Sequence, residues 1–408
     1  MLKKLAPAAL LVPCLSAHAQ SSVTLYGIID IGINYLNNAQ TAKTATGFKG
    51  GHQWAVMDGG TGGIQGSRWG LKGAEDLGGG MKAIFVLENG FSANNGTLGQ
   101  GGAEFGRQAW VGISADKYGK VTLGRQYDEV VDFYAPLLAA PQWGGYMTEH
   151  PSDLDNASNT RRINNSIKYT SPTIAGFTMA GLYSLGGVAG SFGTNRIWSV
   201  GAGYANGPLS IGAGYLNAAN PNTSFYGSNP NAGPATSNNL GAVGSPTSPQ
   251  SNPIYAGYAS AKSLQIAAVA ASYAIGPTTL GLAYSNTRFQ DLGSSSGPNP
   301  FGYRGTAYFH NVEANAKWQV TPALLLGAAL DYTKGVGANG HDGAKYELAS
   351  VGADYFLSKR TDVYTIAVYE HASGTDSLNQ PAVATITGMT PSTTNNQVAV
   401  RVGIRHKF

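Results

Sequence analysis

Residues 107–126 read RQAWVGISADKYGKVTLGRQ, two short runs that alternate apolar with polar or small residues around a tight turn at Tyr118-Gly119. Residues 161–172, RRINNSIKYTSP, carry the same alternation. A period of two marks a half-buried strand. Between them lies YDEVVDFYAPLLAAPQWGGYMTEHPSDLDNASNT, residues 127–160, too long for a routine hairpin connection. Phe133, Tyr134, Leu137, Leu138, Trp143 and Tyr146 give it more apolar surface than a disordered segment carries. The stretch reads as a loop that folds into something, held by strands on either side.

The rhythm continues outward in both directions. In SSVTLYGIIDIGINYLN, Leu25, Ile29, Ile31, Ile33 and Tyr35 share one face and Thr24, Tyr26, Asp30 and Asn34 the other. Residues 37–66 are expected to be a Gly-rich first loop. SRWGLKGAED then turns through Leu77–Gly80 into MKAIFVLENGF, with Arg68, Lys72, Lys82 and Glu88 on polar faces. Asn311, Glu313, Asn315 and Lys317 form a polar row, and Val398, Val400, Val402, Ile404 and Phe408 an apolar one. The Asn-, Ser-, Pro- and Gly-rich stretch from about 218 to 253 is expected to be a mobile exposed loop. Counting the alternating runs gives about 16 strands. The fold class expected is all-β: a transmembrane antiparallel β-barrel with an apolar outer face, a polar interior, short periplasmic turns and long extracellular loops.

The ends and the composition agree with this. MLKKLAPAALLVPCLSAHA has a basic start, a short apolar run and a small-X-small site, so residues 1–19 are expected to be a signal peptide cleaved after Ala19. That leaves residues 20–408 as the barrel domain, without Cys14, the only cysteine, and with a charge of about +2 once Lys3 and Lys4 are gone. Such a balance lacks the basic footprint of a nucleic-acid binder. The chain holds 57 glycines, 22 tyrosines and 12% charged residues, well under the quarter usual in soluble domains. No run approaches the 20 or so apolar residues of a spanning helix. No Ser–His constellation, no spaced metal ligands and no phosphate-cradling Gly-rich turn before a helix are visible, so neither enzyme activity nor a cofactor or metal is expected.

SRWGLKGAEDLGGG, GRQAWVGIS, VTLGRQYD, the Pro-X-aromatic-Gly-Gly of PQWGG, LSKRTDVY and the terminal VGIRHKF, in this order, resemble the general porins of the Gram-negative outer membrane. The likeness is greatest to the branch found in Neisseria and Burkholderia relatives. It implies a homotrimer of 16-stranded barrels among outer-membrane lipids, passing small hydrophilic solutes and ions, each pore narrowed by its third loop (here about 128–160). Phe408 resembles the terminal aromatic by which the barrel assembly machinery recognises such chains.

The resemblance also implies wall arginines at Arg68, Arg107 and Arg162, facing acids on the loop: Asp128, Glu129 and Asp132. Alternation supports Arg68 and Arg162 independently; Arg107 shares parity with Val111 and Ile113, so either a bulge re-aims it or the match fails. Arg161 is expected to point outward or sit in the loop, and Arg125 to serve a subunit contact. Asp30, Lys72, Lys82, Glu88 and Lys168 are further lumen candidates. Where many such porins carry Glu in Pro-X-aromatic-Gly-Gly, this chain has Gln142, which leaves the arginines less opposed and favours anions. About 6 Å from a passing ion, one charge is worth about 0.7–2.8 kcal/mol for effective dielectric constants of 80 to 20. A general diffusion pore is thus expected, with a specific channel for small organic anions or phosphate as the alternative.

Overall fold

In the computed structural model, residues 22–226, 236–340 and 342–408 are described. The expected signal peptide and its cleavage site lie outside them. Strand segments follow as β1 Ser22–Thr44, β2 Gly47–Asp58, β3 Arg68–Gly78, β4 Met81–Gly90, β5 Gln108–Ala115 and β6 Gly119–Gln126. Then come β7 Ile163–Thr170, β8 Phe177–Ser184, β9 Ile197–Asn206, β10 Leu209–Ala219, β11 Ser263–Ile275 and β12 Thr278–Leu292. The last are β13 Gly305–Thr321, β14 Leu324–Val336, β15 Asp342–Phe356, β16 Thr361–Ser373 and β17 Asn396–Lys407.

Each pairs antiparallel with its neighbours, and β1 closes the ring. Residues 28–36 of β1 pair with β17; on its other edge residues 31–44 pair with β2 and 22–28 with β3. β2 and β3 therefore share one position end to end, giving a closed barrel of 16 strands. Closure removes free strand edges, which hydrocarbon cannot satisfy. The alternation sorts as expected. Ile33, Val111, Leu282, Leu330, Val351 and Val402 are exposed on the outside, while Asp30, Asn34, Ser166, Glu313 and Arg401 are buried within.

Connections at the end bearing the C-terminus are short, as at residues 79–80, 207–208 and 276–277. Long ones, including 91–107, 127–162 and 374–395, gather at the other end. At the seam, Gly27 and Phe408 exchange two backbone hydrogen bonds of 3.0 Å. The Phe408 ring covers Gly27, where a Cβ would come within 2.2 Å of the ring's Cζ.

Two sequence expectations need correction. Residues 37–66 are not one loop: β1 and β2 extend as a ribbon turning at residues 45–46, and only Gly59–Ser67 leave the ladder, folding inward. Their Gly and Asn content reads as loop, but this part of the hairpin needs no apolar alternation to pair. Nor are the described parts of the low-complexity stretch, residues 218–226 and 236–253, simply exposed; residues 227–235 lie outside the described residues. Phe225, Leu240 and Gln250 are buried, and its asparagines bind backbone: Asn222 Nδ2 donates to Ser237 O (2.9 Å) and Asn252 Nδ2 to Leu240 O (2.6 Å). Short amide side chains replace the ladder there.

Candidate functional site

The third loop rests on glycine. Gly201 pairs with Gly214 and Gly203 with Gly212 across β9 and β10, baring a patch of inner wall without side chains. A Cβ at Gly203 would lie 2.8 Å from the Phe133 ring, and one at Gly214 2.7 Å from the Val130 backbone. The loop therefore approaches backbone to backbone. Residues 199–205 thus turn their glycines inward. Further on, Ala139 N–H donates to Glu313 Oε1 (2.9 Å) and Asn315 Nδ2 to Leu137 O (3.1 Å).

The Pro-Gln-Trp-Gly-Gly tip has a physical reading as well. Trp143, 2% exposed, lies flat on a second cross-strand glycine pair, Gly327 with Gly352 of β14 and β15. Added Cβ atoms there would meet the indole at 2.0 and 2.8 Å. Gly145 takes φ +65°, a left-handed conformation that favours glycine, and a Cβ on it would lie 2.2 Å from Gly63 O. The next residue, Tyr146, donates its N–H to that same oxygen (2.8 Å). The tip is thus clamped between the far wall and the inward segment 59–67. Irregular backbone at membrane depth is tolerated because it is buried in protein or lines a water-filled space.

What the loop leaves open is a cavity of about 1190 Å³. Its charged lining is Arg68, Arg107, Arg125, Arg161, Arg162 and Asp58. Both Asp58 oxygens already accept backbone N–H groups, from Gly60 (2.7 Å) and Ala93 (3.1 Å). Ala140, Pro141, Gly145 and Tyr146 bound it from the loop tip, and Phe225 and Tyr226 from above.

The closed barrel thus holds an inward third loop with a charged cavity beside it, and sequence comparison settles the family. The family profile described as Gram-negative porin matches residues 6–375. This chain belongs to the Gram-negative porin family. Its members are non-enzymatic channels of the outer membrane. Similar relatives include an outer membrane porin protein of Bordetella pertussis, 35% identical over 50% of this chain and 57% of its own length. Another is outer membrane porin protein 32 of Delftia acidovorans, 34% identical over 52% and 58%. The matched stretches thus span under two thirds of those relatives. Among solved structures, an anion-selective porin from Comamonas acidovorans superposes with TM-score 0.68 at 22% identity, covering 95% of this chain and 100% of its own. OmpT of Vibrio cholerae, solved in a trimer form, gives 0.61 at 16%, covering 95% and 99%.

In this porin, Arg68, Arg107 and Arg162 come together on one cavity. Arg107 lies just before β5, so no bulge re-aims it; its Nε meets Glu88 Oε1 at 2.7 Å. Glu88 also accepts from Tyr26 (2.9 Å) and Tyr127 (3.2 Å). Among the described residues, Arg107 alone of the five arginines has an ion-pair partner. The bulge falls instead on β7, where Asn164 and Asn165 (φ +52°) together oppose the single Arg125 of β6; Arg125 reaches the cavity there and donates to Gly106 O (2.9 Å) and to Asn164. Arg161 sits in the loop, as one of its two expected placements had it, but faces inward: its guanidinium lies 4.9 Å from the Tyr255 ring centre and 5.7 Å from that of Phe225. Burial first, then the charges of Arg107 and Arg125, lower Arg162 to about 10, still protonated near neutrality.

The acids go elsewhere. Asp128 and Glu129 are fully buried between loop and wall and do not line the cavity. Asp128 Oδ1 accepts Val130 N–H (2.9 Å) and Oδ2 accepts from Asn156 (2.7 Å), capping the first loop turn. Lys168 reaches Asp132 at 2.5 Å and Glu129 at 3.6 Å, tying the loop's foot to β7. Burial pushes Asp128 up to about 6 and Glu129 up to about 7, against the attraction of Lys168. Asp30 pairs with Arg401 (3.0 Å) and receives Gln65 N–H (2.9 Å), anchoring segment 59–67. Lys72 lies over the Tyr26 ring (5.3 Å); Lys82 is exposed near the short-turn end. Gln142 is half-buried at the tip, beside lining residue Pro141.

Proposed function

We propose that this protein is a general diffusion porin, passing small hydrophilic solutes and ions with a preference for anions. The observation that carries the reading is the charge on the open passage: five arginines against one aspartate whose oxygens are already engaged. Fixed charge of one sign on low-dielectric walls focuses the field and enriches the opposite ion. The loop acids, sequestered on the loop's far side by Lys168 and by backbone N–H groups, oppose it weakly. The anion selectivity of the similar Comamonas acidovorans porin supports this reading, and the trimer form of the Vibrio cholerae protein supports a homotrimer here.

One feature favours the specific channel as a second reading. Arg161 is held between Phe225 and Tyr255 above the other arginines, a fixed donor beside aromatic surface. Proteoliposome swelling separates the two. Diffusion gives uptake of neutral sugars and organic anions that rises linearly with concentration and falls smoothly with solute size. Saturation by one organic anion or by phosphate, with sugars excluded, replaces it with the specific channel.

A further inference from the structure

The outer wall carries an arrangement that the passage does not explain. Lys334 of β14 and Lys345 of β15 are directly opposed across the ladder, both exposed on the membrane-facing side at the long-loop end. His310 of β13 is the next partner in that row, its Nδ1 2.7 Å from the Tyr284 hydroxyl. Like charges placed opposite each other repel. Among the described residues no carboxylate lies within ion-pair distance of either lysine, although Glu347 sits one row nearer the barrel's middle, opposite Tyr332.

Below that row the surface falls into an apolar groove of about 570 Å³. Its floor is alanine from neighbouring strands, including Ala328 and Ala349, between the exposed side chains of Leu330, Val351 and Tyr369. Ala349 is four residues from Lys345, and Leu330 four from Lys334, about 13 Å along each strand. With the long loops outside the bilayer, a basic pair at this row falls at headgroup height and the trough four residues below it at hydrocarbon depth.

We propose that this face is a binding site for an anionic outer-leaflet lipid: a phosphate bridges Lys334 and Lys345, and an acyl chain lies in the alanine-floored groove. The phosphate converts the lysines' repulsion into two charge-assisted contacts. Alanine leaves the volume that a methylene chain fills. One ligand needs both halves, which selects a phosphorylated, acylated lipid over a free anion. The assignment depends on the barrel's orientation and is independent of its ion preference.

The test uses the folded full-length mature chain in detergent and native mass spectrometry, with bisphosphorylated hexa-acyl lipid A and the same lipid stripped of its phosphates as probes. With about 1 kcal/mol from each cation, Lys334→Gln/Lys345→Gln lowers retention of the phosphorylated lipid by about 30-fold. Ala328→Leu/Ala349→Leu, with the lysines intact, lowers retention of both lipids. Heat-modifiable gel mobility confirms that each variant is a folded barrel. Equal retention of the two lipids by the unaltered protein, meaning that the lysines merely reach for water, overturns the proposal. So does unchanged retention in the lysine variant, displacement of the lipid by millimolar inorganic phosphate, or an altered subunit number in the leucine variant, which gives the groove to a second copy of the chain.

Discussion

Trp143→Ala removes the main hold on the tip of the third loop. The indole is buried on Gly327 and Gly352, and replacing so buried a tryptophan by alanine costs about 3–5 kcal/mol. Against this, the tip retains the Tyr146-to-Gly63 hydrogen bond, worth about 1 kcal/mol net. The tip is outside the strand ladder, so the barrel still forms, but residues 139–148 no longer have one resting place. Single-channel recording should show increased open-state noise and sub-conductance steps, with folded-barrel mobility unchanged. Gly327→Val perturbs the same contact from the other side: a Cβ there would lie 2.0 Å from the indole, displacing it toward the passage and lowering conductance. Combining the two substitutions should relieve the block, because the pair is coupled through direct contact. A quiet Trp143→Ala channel at full conductance would refute the docking argument.

Arg401→Leu should destabilise the protein by about 3–5 kcal/mol in thermal or urea unfolding, since it strands the fully buried Asp30; adding Asp30→Asn should recover part of that loss. A single variant as stable as the parent would show that the pair does not anchor segment 59–67. The loop foot should respond to pH. Asp128 and Glu129 have folded values raised to about 6 and about 7 from 3.8 and 4.5, so the folded state holds more protons than the unfolded chain. Their contribution to stability is full below the lower values and falls as pH rises through the upper ones. Hydrogen exchange at residues 128–134, corrected for intrinsic chemistry, should be better protected near pH 4.5 than at pH 8; the reverse order contradicts the assignment. Gly27→Val should slow folding in detergent and lower the heat stability of the barrel form, because the Phe408 ring occupies the space the side chain needs. Parent-like folding would remove Gly27 from the seam.

The barrel is legible because a membrane forces strict alternation: Ile29 and Ile33 outward, Asp30 and Asn34 inward, repeated in strand after strand. Where the chain leaves hydrocarbon that pressure ends, so the β1–β2 ribbon reads as loop. The inward glycines of β9 and β10 escape a sequence reading for a different reason. Within one strand Gly-X-Gly suits either face, and only the register of Gly201 with Gly214 and Gly203 with Gly212 shows a docking floor. Two such runs in adjacent predicted strands are the signal that points to it. For the passage, Arg68 follows from parity, but the β7 bulge at Asn164 and Asn165 interrupts the alternation between Arg162 and Ser166, and its only mark in the sequence is the Asn-Asn pair. The positions of Asp128 and Glu129 depend on where Lys168 sits across the loop, a distance that no spacing in the chain encodes.

On the reading proposed above, the arginine-lined passage sets the ion preference. The most direct test is the zero-current potential across a planar bilayer under a potassium chloride gradient, for the parent protein and for Arg68→Gln/Arg162→Gln. The parent should give a potential of chloride sign, and the variant one that moves toward zero. A cation sign in the parent, or a potential that does not move when both arginines are neutralised, contradicts it.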